Sequence, residues 1–237
     1  MAQTDDRVQR MVQIQGAGQR PSLFVGPQSG GRESRLNVMV RDLSAKAGRF
    51  RQVAAEIRAH PSLLPSERGI KLAEAAGPLT ATLKEAHDTF AAESARIAKT
   101  AHTATAVPAY GDIVPYHVVQ ADRDLISKLA AMEPKDRAVH LHRMATEPTK
   151  YARWNQAVLR QPKELAGVSD EEHDGIRTAT LRAFDPALAN AIDSELEQSQ
   201  QAKQTLQHVW QVLAEDAPGI TTELQVTSPE LAAVVRA

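Results

Sequence analysis

The chain contains no cysteine, so disulfides, thiolate metal sites and a cysteine nucleophile are all excluded. Aromatic residues make up only 4% of it, too few for a thick aromatic-rich core. Alanine supplies much of the 42% apolar content, which favours closely packed helices. No apolar run approaches the roughly 20 residues needed to cross a bilayer, and the first residues lack the basic-then-apolar pattern of a secretory leader. The expectation is a soluble, unprocessed protein, made in the cytoplasm, without a membrane span. Catalytic signatures are missing as well. There is no Gly-x-Ser-x-Gly elbow and no glutamate-histidine metalloprotease motif, and no acidic pair stands in a setting that would define an acid and a base. The chain is therefore not expected to be an enzyme or to need a cofactor or metal.

What is present is helical periodicity. Leu36, Val40, Leu43, Ala47, Phe50, Ala54 and Ile57 alternate four and three apart, which lays them along one edge of a helix. After Pro61 and Pro65 the spacing resumes through Leu72, Ala76, Leu79, Leu83, Ala86, Phe90 and Ile97. Two seams joined by a proline-bounded turn predict an antiparallel helical hairpin over residues 32–105. Ser66 is the expected N-cap of its second arm, with Glu67 in the first turn. Gly77-Pro78 is expected to kink or divide that arm, because proline removes one backbone hydrogen bond.

Ahead of the hairpin, residues 1–31 are polar and read as an extended arm whose one apolar knot is Leu23, Phe24 and Val25. Gly26-Pro27-Gln28-Ser29-Gly30-Gly31 superficially matches a phosphate-binding loop. Arg32 and Glu33 stand where that loop needs lysine and a hydroxyl, and Glu33 would place a negative charge against phosphate. Nucleotide binding is rejected on that ground.

Residues 106–118, with Pro108, Gly111 and Pro115, read as a linker whose Tyr110, Ile113, Val114, Tyr116 and Val118 can dock on a surface. A helical domain is expected over 119–237. One helix should open at Gln120 or Asp122 and end near Met132, and Pro134 and Pro148 should each take the first position of a further helix. Ser169 with Glu172 forms a capping box. Asp185-Pro186 starts a long helix to about Asp216, carrying Leu188, Ile192, Leu196, Leu206, Val209, Trp210 and Leu213. Gly219 is expected as a stop, Thr221–Thr227 as a short strand, and Ser228-Pro229 as the cap of a last helical turn or two. The fold class is thus all-α: a long hairpin, then a bundle of shorter helices, with an extended N-terminal arm.

Charge runs in a gradient beneath a formal net charge of −1. Residues 1–60 carry ten Lys/Arg against five Asp/Glu, and residues 185–237 carry two against eight. Opposite ends of this kind suit head-to-tail contacts between copies, or a basic end lying on phosphate. Arg41, Lys46, Arg49, Arg51 and Arg58 on the first arm are the candidate nucleic-acid contacts, diluted by Asp42 and Glu56. Lys150, Tyr151, Arg153, Trp154 and Arg160 form a second basic, aromatic group, although Met144, Trp154 and Val158 at helical spacing indicate core. His140 and His142 lie two apart and point to different sides of a helix, which is unsuited to chelating one metal. His173 sits in an acidic first turn.

Arg160-Gln161-Pro162-Lys163-Glu164-Leu165-Ala166-Gly167-Val168-Ser169-Asp170-Glu171-Glu172, followed by a helix to Phe184-Asp185-Pro186, resembles helical structural proteins of tailed-phage virions. The resemblance extends over about a third of the chain, from Asp122 to Glu197, and transfers no functional residue. It implies a non-enzymatic virion subunit present in many copies, in the head, connector or ejection apparatus. Such a subunit would bind neighbouring chains, copies of itself included. Leu23, Phe24, Val25, Tyr110 and Tyr116 are the expected interface residues. The alternative is a nucleic-acid-associated or regulatory helical protein using the basic first helix.

Overall fold

A computed structural model describes residues 34–107, 110 and 115–236. The arm with Leu23, Phe24 and Val25, the glycine-rich segment through Glu33, and Ile113 and Val114 lie outside the described residues. All regular structure among the described residues is α-helical. In order, the helices are α1 (Arg35–Ala59), α2 (Pro65–Thr103), α3 (Tyr116–Ala130), α4 (Pro134–Thr146) and α5 (Ala152–Arg160), then α6 (Lys163–Ala166), α7 (Asp170–Phe184), α8 (Pro186–Asp216), α9 (Pro218–Thr227) and α10 (Pro229–Arg236).

The described chain divides into two compact units, residues 34–99 with 193–236 and residues 100–192. In the first, the long-helix unit, Ser34 caps α1: its Oγ accepts from the Asn37 N–H at 3.2 Å and donates to Gln198 Oε1 on α8 at 2.8 Å. Leu36, Leu43 and Phe50 of α1 are buried in one cluster with Leu79, Leu83 and Ile97 of α2. Val40, Leu72 and Phe90 pack against it half-buried, and Ile57, near the end of α1, is also half-buried. Ala202, Leu206, Val209, Trp210, Val212 and Leu213 of α8 belong to the same cluster, closed by Leu224 of α9 and by Leu231, Ala232 and Val235 of α10. Residues 193–236 therefore group with the first two helices and not with 119–192 as the sequence suggested. The shared core is the reason: the apolar residues of α8, α9 and α10 are buried in one cluster with those of α1 and α2.

α2 runs unbroken through Pro78, against the expectation of a division there. The missing proline N–H deprives only the Glu74 carbonyl of its usual helical donor, and Ala76, Leu79 and Leu83 bury the helix into one core on both sides of it. Ser66 is not the cap. The helix begins at Pro65, and Glu67 Oε2 accepts from the Leu64 N–H at 2.9 Å, the backward half of a capping box. Thr221–Thr227 is helix and not strand, and Gly219 is no stop but lies inside α9. Its β-branched residues are reconciled with helix because Thr221 and Thr222 donate to the Pro218 carbonyl and Thr227 to that of Glu223. Burial of Thr221 and Leu224 then fixes the inner face.

The short-helix unit packs Ile126 and Leu129 of α3 with Leu141, Met144, Ala157, Val158 and Ile176. Its first helix starts at Tyr116, not near Asp122, because Pro115 supplies a ready-made entry. Pro148 lies in a turn held by the Glu147 carbonyl, which accepts from Lys150 and Tyr151, and the next helix opens only at Ala152. The Ser169–Glu172 capping box is present. A smaller cluster joins Ala104, Leu181, Ala189 and Ile192.

Gly167 follows α6 with φ +62°, and a Cβ there would meet Arg137 Nη1 at 3.0 Å. Gly167→Val is expected to destabilise this unit by about 1–3 kcal/mol through left-handed strain at a β-branched residue. Urea unfolding followed by circular dichroism tests this, and an unchanged midpoint would contradict it.

Candidate functional site

The most elaborate polar arrangement is centred on Asp122, a fully buried acid on α3. Val118 and Ile126 flank it four residues either way, so the helix carries it into an otherwise apolar stripe. Arg160 Nη1 lies 3.2 Å from its Oδ2, and the guanidinium of Arg153 pairs with Oδ1. The Tyr110 hydroxyl donates to Oδ2 at 2.7 Å and accepts from Gln161 Nε2 at 2.8 Å. Burial, reinforced by the Asp122 hydrogen bond and charge, pushes the Tyr110 hydroxyl up from its ordinary pKa and keeps it a donor, while Gln161 and Arg160 act against that shift. Arg153 also donates to the Val118 carbonyl at 3.2 Å. These groups bind helix to helix and fasten Tyr110 to α3 and to Gln161, just past the end of α5.

Two further polar groups do similar work. Asn155 donates to the Met144 carbonyl and to Thr180 Oγ1, both at 3.1 Å, inside the α4, α5 and α7 packing. Arg177, held by Asp174, donates to the carbonyls of Ala101, in the last turn of α2, and of Ala104, just beyond it. A cation is favoured there by the unpaired carbonyls and the helix dipole.

His140 packs edge-on to the rings of Tyr151 and Trp154, with centroids 5.2 and 4.5 Å away. Burial, and then the Arg143 charge, hold its imidazole below the ordinary value of 6.5. His173 is lowered too, mainly by burial; Asp174 opposes this, while Arg177, Lys163 and His102 add to it. Both folded values lie below the unfolded one, so the stabilisation is complete above about pH 6.5 and is lost as pH falls toward the folded values. Urea midpoints read between pH 8 and pH 5 are expected to fall on the acid side. His140→Phe, which keeps a packed ring but takes no proton, is expected to flatten that fall; an unaltered acid limb would exclude His140 as its source.

The basic residues of α1 separate by face. Arg51 pairs with Glu215 at 3.8 Å, and Arg58 pairs with Asp216 and donates to the Glu215 carbonyl at the end of α8. Lys46 pairs with Asp42 at 3.1 Å and donates to Thr82 at 2.9 Å. Arg41 lies on the exposed side of the helix. Arg49 has no ion-pair partner among the described residues. Lys46 and Arg49 together edge a groove of about 320 Å³ between α1 and α2, walled by Phe50, Val53, Ala75, Pro78 and Leu79. A second, broader concavity of about 610 Å³ on the short-helix unit is lined by Arg123, Ile126, Ser127, Gln161 and Leu165.

No family model, curated protein or solved structure matches this chain. Among the described residues no group of three or more His, Asp or Glu side chains is placed to hold a metal, and no helix is long and apolar enough to cross a membrane. Of the expected interface residues, Tyr110 is engaged by Asp122 and Gln161, while Tyr116 is exposed with its hydroxyl accepting from Gln120. The second basic, aromatic group does not form a free patch: Lys150 pairs with Glu147 at 2.8 Å, and Arg153 and Arg160 turn to Asp122. Asp122 itself was legible only as a helix residue. The signal that marks it is an acid in register with Val118 and Ile126.

Proposed function

We propose that the chain is a non-enzymatic all-α subunit of a larger protein assembly, a virion structural component, which binds neighbouring chains and copies of itself. The observation that carries this reading is the groove between α1 and α2, lined by apolar side chains and edged by Lys46 and Arg49, in which Val53 is left 41% exposed. An apolar concavity with a cationic edge suits a protein partner that carries an apolar side chain flanked by acids. The polar groups of the short-helix unit support the same reading, since Asp122, Arg153, Arg160, Asn155 and Arg177 are all engaged in fastening helices. The nucleic-acid alternative is weakened by the engagement of Arg51 and Arg58 with α8, which leaves less of their charge for phosphates.

Sedimentation velocity on the full chain at rising concentration tests the proposal. Species larger than the 25.8 kDa monomer are expected, and a version lacking residues 1–31 is expected to associate less. A monomer at every concentration would overturn the reading.

A further inference from the structure

Building on that assembly role, we infer that copies of this chain join head to tail, the C-terminal end of α9 of one copy seating in the α1–α2 groove of the next. The groove has an apolar interior and a cationic edge. Phe50, Val53, Ala75 and Leu79 form its walls with the ring of Pro78, which has no N–H to desolvate. Arg49 at the edge has no ion-pair partner among the described residues, and Lys46 beside it pairs with Asp42.

The matching feature lies on the same unit. Val226 on the last turn of α9 is 79% exposed, more than any other large hydrophobic residue among those described. Glu223 stands one turn before it, and Glu230 is the second residue of α10. Neither carboxylate has an ion-pair partner among the described residues. The carbonyl end of α9 adds its own partial negative charge. An aliphatic knob with anionic flanks thus meets a groove with cationic edges, the complementarity that steers and registers a protein contact. Arg51 and Arg58 take no part, because they already hold the end of α8.

Knob and groove are different surfaces, so the contact is not self-complementary. Each bound copy leaves one free groove and one free knob, and association proceeds to a ring or an open filament. That property separates this contact from a two-fold dimer.

The experiment is sedimentation velocity on the full chain and two variants, Val53→Asp and Val226→Asp, with circular dichroism as the folding control. Both sites are exposed, so both variants are expected to fold. Each alone is expected to associate about tenfold or more weakly than the parent. Mixed one to one, the two are expected to form dimers and nothing larger, because one retains its knob and the other its groove. Arg49→Glu is expected to weaken association and Glu223→Arg, combined with it, to restore it. Oligomers unmoved by both aspartates, or a mixture that stays monomeric, would overturn the head-to-tail contact while leaving the assembly role standing. A parent chain monomeric at every concentration would remove both.

Discussion

Asp122→Ala is expected to cost the short-helix unit about 3–5 kcal/mol, the usual result of removing one partner from a buried ion pair. Desolvation sets that size, more than the strength of any one contact. The Arg160 side chain is only 9% exposed, whereas that of Arg153 is 41% exposed. Once the acid is gone, Arg153 can turn to water, whereas the far less exposed Arg160 loses its buried carboxylate with little access to solvent in exchange. The Tyr110 hydroxyl loses its acceptor as well. Asp122→Ala combined with Arg160→Met should recover much of the loss, since a buried pair replaced by apolar groups is often neutral. Tyr110→Phe is expected to cost about 1 kcal/mol, a single net hydrogen bond. The chain's two tryptophans separate the units: Trp154 reports on the short-helix unit and Trp210 on the other. Urea unfolding followed by Trp154 fluorescence in a Trp210→Phe background reads the cost. A loss below about 1 kcal/mol would mean that water reaches Arg160 and that the arrangement is a surface one.

The electrostatic consequence of the fold is that part of the charge gradient closes within the long-helix unit. Arg51 and Arg58 near the start of the chain meet Glu215 and Asp216 near its end, and Arg96 lies 2.9 Å from Glu195. The Arg96 guanidinium is held above its ordinary pKa chiefly by that Glu195 hydrogen bond, against some burial. A sequence shows that opposite charges exist at the two ends, but not whether they meet within one molecule or between two. Here they meet within the long-helix unit. These pairs are partly exposed and each contributes modestly. Their larger effect is to offset part of the charge of Arg51 and Arg58, while Arg49 has no ion-pair partner among the described residues.

Elements marked by punctuation were readable, and elements decided by packing were not. Asp185-Pro186 opens α8 as expected, with Asp185 Oδ1 accepting from the Leu188 N–H at 3.1 Å, and Ser169 with Glu172 opens α7. In both, the signal is local and chemical. Pro148 carried the same local signal and failed, because a turn closed on Glu147 competes with a helix start at the same residues. Thr221–Thr227 has strand-like composition, and its outcome depends on Leu224 reaching a core built by residues more than a hundred positions away. The partner of α8 was hidden for the same reason. Its apolar stripe was plain, but one helical stripe fits many others, and no residue type announces which.

The core of the long-helix unit gives the second large effect. Leu83→Ala is expected to destabilise it by about 3–5 kcal/mol, because Leu83 is fully buried and closely packed helices relax only partly around the space left behind. Trp210 fluorescence in a Trp154→Phe background reads the loss, with Leu64→Ala, exposed in the turn between α1 and α2, expected within about 0.5 kcal/mol of the parent. The informative comparison is with Leu213→Ala. Were α1 and α2 a self-sufficient pair with α8 merely laid beside it, a leucine of α8 would keep one wet side and its truncation would be cheap. Leu213 is as fully buried as Leu43 and Leu83 and belongs to the same cluster. Its replacement is therefore expected to cost as much as theirs. A cost below about 1 kcal/mol at Leu213, with the full cost retained at Leu83, would show that two helices close the core without the third.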